Sequence, residues 1–553
     1  MLVLAILAAS FQVAVRPASA AATFEDRMLE LINGARAAQG VAPVQRSAVL
    51  AGIASDSPYQ GCGYSVAGRS SDMGARNYFS HTILNCGAQG APDMLRAAGV
   101  AYSSFGENIA WVNAITDPLV AAERLHNDLM ASPAHRDNIL NPAFTHVGVG
   151  SWHTAAGATW SGGGYALTNV YLTTEVFTSM AASPPGSRYH PVTPSRILDT
   201  RTAGVPLGAG ATMDVQVTGR GGVPTAGVSA VVVNVAVTSP TAFSYLTVFP
   251  AGAPVPLASN LNYQAGQTVP NLVTAMLGSG GRLSLYNAYG STHVIVDVAG
   301  WYDDGTASAG DRYHPLTPSR ILDTRSGSGP LGASSAIALQ VTGRGGVPAT
   351  GVGAVVMNVT VTGPTAMSYL TVFPDGEAMP LASNLNFAAG DTVPNLVTAK
   401  LGAGGRVDFF NAAGSVQVIA DVAGWYDDGT SPTGALYHPV APGRILDTRN
   451  GGGPLGASAS TELQVAGQGG VPATGVSGVV MNVTVTGPTA TSYLTAFPTG
   501  EAMPLASNLD YVANQTVPNL VTAKLGAAGR VSLFNVAGTT HVIADVAGWF
   551  DAG

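Results

Sequence analysis

Hydrophobic spacing divides the chain into two unlike parts. Phe24, Met28, Leu31, Ile32 and Ala35 recur at helical spacing, which predicts a helix capped by Thr23 and stopped at Gly40. Asp117-Pro118 is a cap followed by a first-turn proline and predicts a second helix to about Met130. Pro133 disfavours helical geometry at Ser132, so that helix ends there; Ser132 and Pro133 then serve as cap and first position of another short helix. VGVGSW (147–152) and YALTNVYLTTEVF (165–177) read as strands. This mixture predicts an α+β domain over residues 24–178.

Past a small-residue linker at 179–188, the helical period disappears. YHPVTPSRILDTR (189–201) returns as YHPLTPSRILDTR (313–325) and YHPVAPGRILDTR (437–449), at a constant step of 124 residues. Solenoid and propeller repeats run about 20–50 residues, so each copy is long enough to own a core. Three domains follow, at 189–304, 313–428 and 437–553. In the first, β-branched runs separated by Gly, Pro, Asn and Ser turns give RILDTR, MDVQVTG, AVVVNVAVT, YLTVFP, SNLNYQ, TVPNLVTAML, RLSLYNA and HVIVDVAGWY. RLSLYN alternates as a half-buried strand does. Such a set predicts an all-β sandwich of jelly-roll type. The fold class is therefore multidomain: one α+β domain and three β-sandwich repeats.

Composition narrows the partners. Of 553 residues 46% are hydrophobic and only 10% charged, with a net charge of −8 and no basic run. That excludes the electrostatic footprint of a nucleic-acid or anionic-membrane binder. Residues 1–20 read as a secretory signal: an apolar core at Leu2–Ala9, then Ala18-Ser19-Ala20 before a cut at Ala20/Ala21. The apolar run is short of the ~20 residues of a spanning helix, and no later stretch is long enough to be a transmembrane segment. The expected location is extracellular, with cell-wall association. Cys62 and Cys86 are the only cysteines. In an exported chain they read as one disulfide worth roughly 3 kcal/mol, in preference to metal-binding thiolates, which lack the close CxxC spacing.

Three polar residues stand in short distinctive contexts: His81 in YFSHT, Glu107 in FGENIA and His135 in SPAHR. His135 falls in the first turn of the helix after Pro133, where unpaired N–H groups and the dipole disfavour imidazolium, and a neutral imidazole is a metal ligand or a base. With FEDRMLELINGARAAQGV at the start and THVGVG after the second histidine, these motifs make residues 24–178 resemble the CAP superfamily, the SCP-like extracellular domains of bacterial type. The resemblance implies an α-β-α sandwich with a central cleft lined by two histidines and two acidic residues, with a divalent metal between the histidines. By motif His81 and His135 match the metal-binding histidines and Glu107 one of the acids; these three are also the catalytic candidates. The second acid falls near Ser132, where no carboxylate stands, leaving Glu123 or Asp128 of the preceding helix as substitutes. Leu129 occupies a place where tryptophan is common. Two histidines and a glutamate suit Zn²⁺ or another divalent metal with an open position. Functions across the family include lipid binding, protein interaction and proteolysis, so a small ligand or lipid in the cleft is also implied. No GxSxG or HExxH motif is present. His126, His146 and His153 read as surface or packing residues.

The RILDTR segments resemble repeats of secreted proteins from high-GC bacteria, a resemblance that implies no activity. Strand alternation puts Arg196, Leu198 and Thr200 on one face and Ile197, Asp199 and Arg201 on the other. The Asp199–Arg201 pair, repeated at Asp323–Arg325 and Asp447–Arg449, is expected to bond neighbouring loops, in preference to the alternative of a binding site. Trp301, Trp425 and Trp549 are either sugar-stacking platforms or seals at the base of each sandwich, and tandem copies favour avidity. The whole reads as a secreted protein with a His/Glu cleft for a divalent metal or small ligand, displayed on modules that bind cell envelope or glycan. The alternatives are a purely adhesive protein with a vestigial cleft, and a secreted metal-dependent hydrolase of peptide or cell-wall substrates.

Overall fold

In the computed structural model, residues 23–98, 100, 102–179 and 186–553 are described. The signal segment (1–20) and residues 180–185 of the expected linker lie outside them. The chain divides after Ala182 into two units.

In the first unit the helices are α1 (Phe24–Ala38), α2 (Ala48–Ala54), α3 (Arg69–Ala75), α4 (Ala91–Ala97), α5 (Pro118–Ala131) and α6 (Pro133–Leu140). Its strands are β1 (Gln45–Arg46), β2 (Pro58–Tyr59), β3 (Val66–Ala67), β4 (Phe105–Val112), β5 (His146–His153) and β6 (Tyr171–Thr178). Thr23 and Asp26 exchange hydrogen bonds at the start of α1, satisfying two first-turn N–H groups. The Asp117 carboxylate caps α5 by accepting from the N–H of Leu119 and Val120. Ser132 ends α5 and begins α6 with extended backbone, but its hydroxyl makes no capping bond; the break comes from Pro133 alone, contrary to the expected serine cap.

The main sheet runs β1-β5-β6-β4. Its β6 is buried along its whole length, because helices cover both faces. Met28, Ile32, Leu125, Leu129 and Ile139 of α1, α5 and α6 pack on Val147 and Phe177, while Leu50, Ile53 and Leu95 of α2 and α4 pack on Val176. This is the expected α-β-α sandwich. The glycines of VGVG let α2 lie directly on β5: a Cβ on Gly148 would fall 1.9 Å from the Leu50 carbonyl carbon. Cys62 and Cys86 form the expected disulfide, Cα to Cα 5.1 Å. Arg36, fully buried, donates to the carbonyls of Ala42, Ile139, Asn141 and Phe144, which fixes the end of α6 against α1.

The first copy in the second unit has the eight strands in the expected order: β7 (Tyr189–Asp199), β8 (Ala211–Gln216), β9 (Val228–Thr238), β10 (Ser244–Pro250), β11 (Leu261–Tyr263), β12 (Val269–Met276), β13 (Arg282–Asn287) and β14 (His293–Asp303). They form two four-stranded antiparallel sheets, β12-β9-β14-β7 and β11-β10-β13-β8. Val233, Val235, Leu246, Val273, Leu285 and Val296 fill the space between them. The second and third copies repeat this sandwich.

The RILDTR alternation stops two residues early. Asp199 ends β7 and its carboxylate caps a short turn at Thr200–Ala203, so Thr200 and Arg201 no longer belong to a strand face. Asp199 grips Arg201 itself rather than a neighbouring loop, while Arg196 pairs with Asp297 on β14.

The three copies do not hang as separate domains. Each inner sheet buries its second face in a shared core: Tyr189, Val232, Leu272 and Tyr302 meet Tyr313, Val356, Leu396, Tyr426, Tyr437, Val480, Leu520 and Phe550. Tyr189 stacks on Tyr426, Tyr302 on Tyr437 and Tyr313 on Phe550, at 4.3, 4.2 and 4.1 Å. Buried asparagine amides run the same way around: Asn271 donates to Asn482, Asn395 to Asn234 and Asn519 to Asn358. Since these links join copy one to three, two to one and three to two, the copies close into a ring. Each repeated tryptophan lies under a histidine of the YHP motif (His190 on Trp301, His314 on Trp425, His438 on Trp549), all at 3.9 Å. One face of every indole is thus used in packing.

Candidate functional site

The site starts from strand alternation in FGENIA. Successive residues of β4 point to opposite faces, so Glu107 and Asn108 serve different layers of the sandwich. Glu107 meets Arg69 of α3: Oε1 accepts from Nε at 2.8 Å, and both side chains are almost wholly buried. The remaining Arg69 nitrogens reach the Ser80 carbonyl at 2.6 Å and the Tyr78 hydroxyl at 3.5 Å. Glu107 Oε2 lies 2.7 Å from His81 Nδ1, the geometry of an N–H donated to a carboxylate. Arg69 therefore fixes Glu107, and Glu107 fixes the ring of His81. Nε2 of His81 has no protein partner among the described contacts, and the side chain is 56% exposed.

Asn108 looks to the other layer. Its Nδ2 donates to the His135 carbonyl at 3.0 Å and to Glu175 Oε2 at 2.9 Å, and its Oδ1 accepts from Asn138 of α6 at 2.8 Å. Gly106 permits this approach, since a Cβ there would stand 2.7 Å from Asn138 Oδ1. His135, half-buried on α6, has its pKa lowered by burial first and by the His81 charge second. The direction is that expected from the sequence; the cause is desolvation and a second imidazole rather than the helix terminus.

His81, Glu107, Asn138, Phe105 and Asp93 line a cavity of about 430 Å³. His81 and Glu107 are in direct contact, and His135 is close enough for its charge to oppose that of His81. Neither substitute carboxylate reaches this place: Glu123 pairs with Arg27 and Asp128 with Arg124, on exposed helix faces. The carboxylate on the cavity wall is instead Asp93, which caps α4 through the Gly90 N–H and pairs with Arg96.

The donor set departs from the three-ligand metal site read from the motifs. Both Glu107 oxygens are engaged, and among the described residues no cluster of three or more His, Cys, Asp and Glu side chains is arranged to hold a metal ion. Glu107 fits the orienting role that carboxylates play behind a ligating histidine. What remains are the two imidazoles.

Residues 29–168 match the family model described as CAP, the cysteine-rich secretory protein family. The first unit contains a CAP domain. Over 143 residues the chain is 34% identical to the uncharacterized protein YkwD of Bacillus subtilis (strain 168), covering 26% of this chain and 47% of that protein. It is 31% identical over 128 residues to the uncharacterized membrane protein YlbC of the same organism, covering 23% and 31%. An extracellular protein containing an SCP domain from Bacillus anthracis str. Ames, solved by crystallography, is 24% identical with a TM-score of 0.19, covering 28% of this chain and 40% of that one. The chain thus spans about half or less of the length of these proteins.

In the CAP domain Arg69, Asp93, Asn138 and Glu175 escaped the sequence reading. Glu175 carried a usable signal: a charge inside the apolar strand YLTTEVF. It is fully buried, its Oε1 has no hydrogen-bond partner, and desolvation raises its pKa from 4.5 to about 7. Between those two values the folded state binds the proton that the unfolded state has released. Stability therefore falls as pH rises from 4.5 to 7 and stays low above, by about 3 kcal/mol in all. Glu175→Gln is expected to flatten this dependence and to raise the urea midpoint at pH 8, with little change at pH 4. An unchanged pH profile would show that Glu175 does not titrate in this window.

Proposed function

We propose that this is an extracellular binding protein whose CAP cleft takes up a divalent metal or a small ligand at His81 and His135, carried on a three-copy β unit that attaches it to envelope polysaccharide. The observation that carries the reading is the chain Arg69–Glu107–His81, which holds one imidazole in a fixed orientation with Nε2 unpaired at a cavity. A neutral His135 supplies the second nitrogen. A metal held there would act as a Lewis acid on whatever ligand completed its coordination; the chain's own part is to orient the His81 ring through Glu107 and to keep His135 neutral. The extracellular location is supported by the family and by the SCP-domain protein named above. Among the described residues no helix is long and apolar enough to cross a membrane.

Zinc titration of the full chain, followed by calorimetry, tests the cleft. One site is expected, weaker than a closed four-ligand site, lost in His81→Ala/His135→Ala and weakened in Glu107→Gln. Equal uptake by all three proteins removes the metal and leaves the small ligand. The His81–Glu107 pair also resembles an oriented general base. Turnover of casein or peptidoglycan that vanishes in Glu107→Gln would change the reading from binding to hydrolysis.

A further inference from the structure

We propose that the three grooves between neighbouring copies of the β unit are saccharide-binding sites, in which the last arginine of each RILDTR motif is the hydroxyl-binding group. The inference rests on the attachment role proposed above and says which surface performs it.

A cavity of about 270 Å³ lies between the first and third copies, with Phe243, Tyr245 and Leu257 on one side and Arg444, Arg449 and Thr486 on the other. The ring repeats this juxtaposition. Asn482 of the third copy donates to the Ser259 carbonyl of the first, Asn234 of the first to Ser383 of the second, and Asn358 of the second to Ser507 of the third. These equivalent links bring Tyr369 and Leu381 opposite the RILDTR segment of the first copy, and Tyr493 and Leu505 opposite that of the second. The leucines are 80%, 78% and 76% exposed, in register in all three copies. Single exposed leucines are ordinary; the same one three times beside a half-exposed tyrosine is a repeated apolar wall.

The polar side is equally regular. Arg201, Arg325 and Arg449 each give Nε and Nη2 to one aspartate, at 2.9 and 2.6, 2.9 and 2.7, and 2.8 and 2.6 Å. In none of them does Nη1 have a protein partner among the described contacts, and the side chains are 47%, 48% and 46% exposed. The carboxylate fork immobilises the guanidinium and leaves one nitrogen over. At the groove between the first and third copies charge balances locally: Arg444 and Arg449 face Asp447 and Asp545. A rigid guanidinium N–H whose charge is balanced by neighbouring aspartates favours hydroxyls over phosphate or carboxylate. Beside an aromatic and aliphatic wall, it suits a neutral hexose or N-acetylhexosamine chain, which has an apolar ring face and a hydroxyl edge.

The copies are not identical. Thr193–Glu377–Lys400 clamps the first seam and Thr317–Glu501–Lys524 the second. At the third, Ala441, Ala253 and Met276 stand in those places, and Phe243, where the others have Met367 and Thr491, adds an exposed ring. The site at Arg449 is therefore expected to be the strongest.

The test is retention of the full chain on cell-wall sacculi stripped of anionic polymers, with an N-acetylglucosamine tetrasaccharide as soluble competitor. Arg449→Gln is expected to weaken retention about threefold and Arg325→Gln less, while Arg201→Gln/Arg325→Gln/Arg449→Gln weakens it about a hundredfold, as linked weak sites are lost. An unchanged melting temperature separates loss of contact from loss of fold; if the triple variant unfolds, Leu257→Ser/Leu381→Ser/Leu505→Ser removes the exposed wall instead. Retention that persists in about 0.5 M salt supports neutral recognition, because screening weakens exposed charge pairs; release by that salt overturns it. A wild-type chain held by the sacculi, with every variant held equally, overturns the grooves and leaves the attachment role. A wild-type chain that is not held overturns both.

Discussion

Arg69→Met should cost the CAP domain about 3–5 kcal/mol, the usual penalty for removing one partner of a buried ion pair. The guanidinium is inaccessible and serves the Glu107 carboxylate and the Ser80 carbonyl at once. Methionine fills similar volume but returns none of those hydrogen bonds, so Glu107 keeps a buried charge with His81 as its remaining partner. Two readouts should move together: the urea midpoint of the first unit falls, and zinc uptake weakens because the His81 ring is no longer fixed through Glu107. Combining Arg69→Met with Glu107→Gln should recover part of the stability, since the second change removes the orphaned charge; it should not recover uptake. Double-mutant cycles measure such coupling directly. A loss below about 1 kcal/mol for Arg69→Met would mean that water or another group replaces the arginine, and the orienting chain would fall with it.

His81 and Glu107 were legible because each sits in a short motif that matches a family, while Arg69 was not. Nothing in AGRSSDM announces that its arginine will cross the interior to a strand 38 residues away. Local pattern reports which face a residue occupies, and only the packing of α3 on the sheet reports what it meets there. The same limit governed the second carboxylate. Spacing searched near Ser132, whereas the second carboxylate found on the cavity wall, beside that of Glu107, is Asp93 on a different helix. In the β unit the eight strands were readable from β-branched runs and turn residues. Their arrangement was only half readable. AVVVNVAVT lacks alternation, and the reason is that Val231, Val233, Val235 and Val237 enter the core of their own copy while Ala230 and Val232 enter the core shared by three. RLSLYN alternates more nearly because it belongs to the outer sheet. An unbroken apolar run in an antiparallel sandwich is thus a sign of a second buried face, a sign that the expectation of three separate domains passed over.

Tyr302→Ala should lower the stability of the entire β unit, not of one copy. Tyr302 is fully buried, stacks on Tyr437 at 4.2 Å and shares a 2.5 Å hydrogen bond with the Tyr426 hydroxyl, so one side chain from the first copy touches both others. Truncating a buried aromatic residue typically costs about 3–5 kcal/mol, and here the cavity opens on the axis where the copies meet. Calorimetry of the full chain should show a single β-unit transition moved to lower temperature, because no copy can keep its inner sheet covered once the shared core is opened. Tyr302→Phe is the milder companion. It removes the hydroxyl pair yet keeps the ring, as Phe550 does in the equivalent place of the third copy, and should cost about 1–3 kcal/mol, the penalty for leaving the buried Tyr426 hydroxyl without its partner. If Tyr302→Ala instead splits the transition, with about a third of the heat moving and the rest unchanged, the copies fold independently. The asparagine ring and the aromatic stacks would then be contacts between finished domains, and the inter-copy grooves would lose the rigid frame that their proposed role requires.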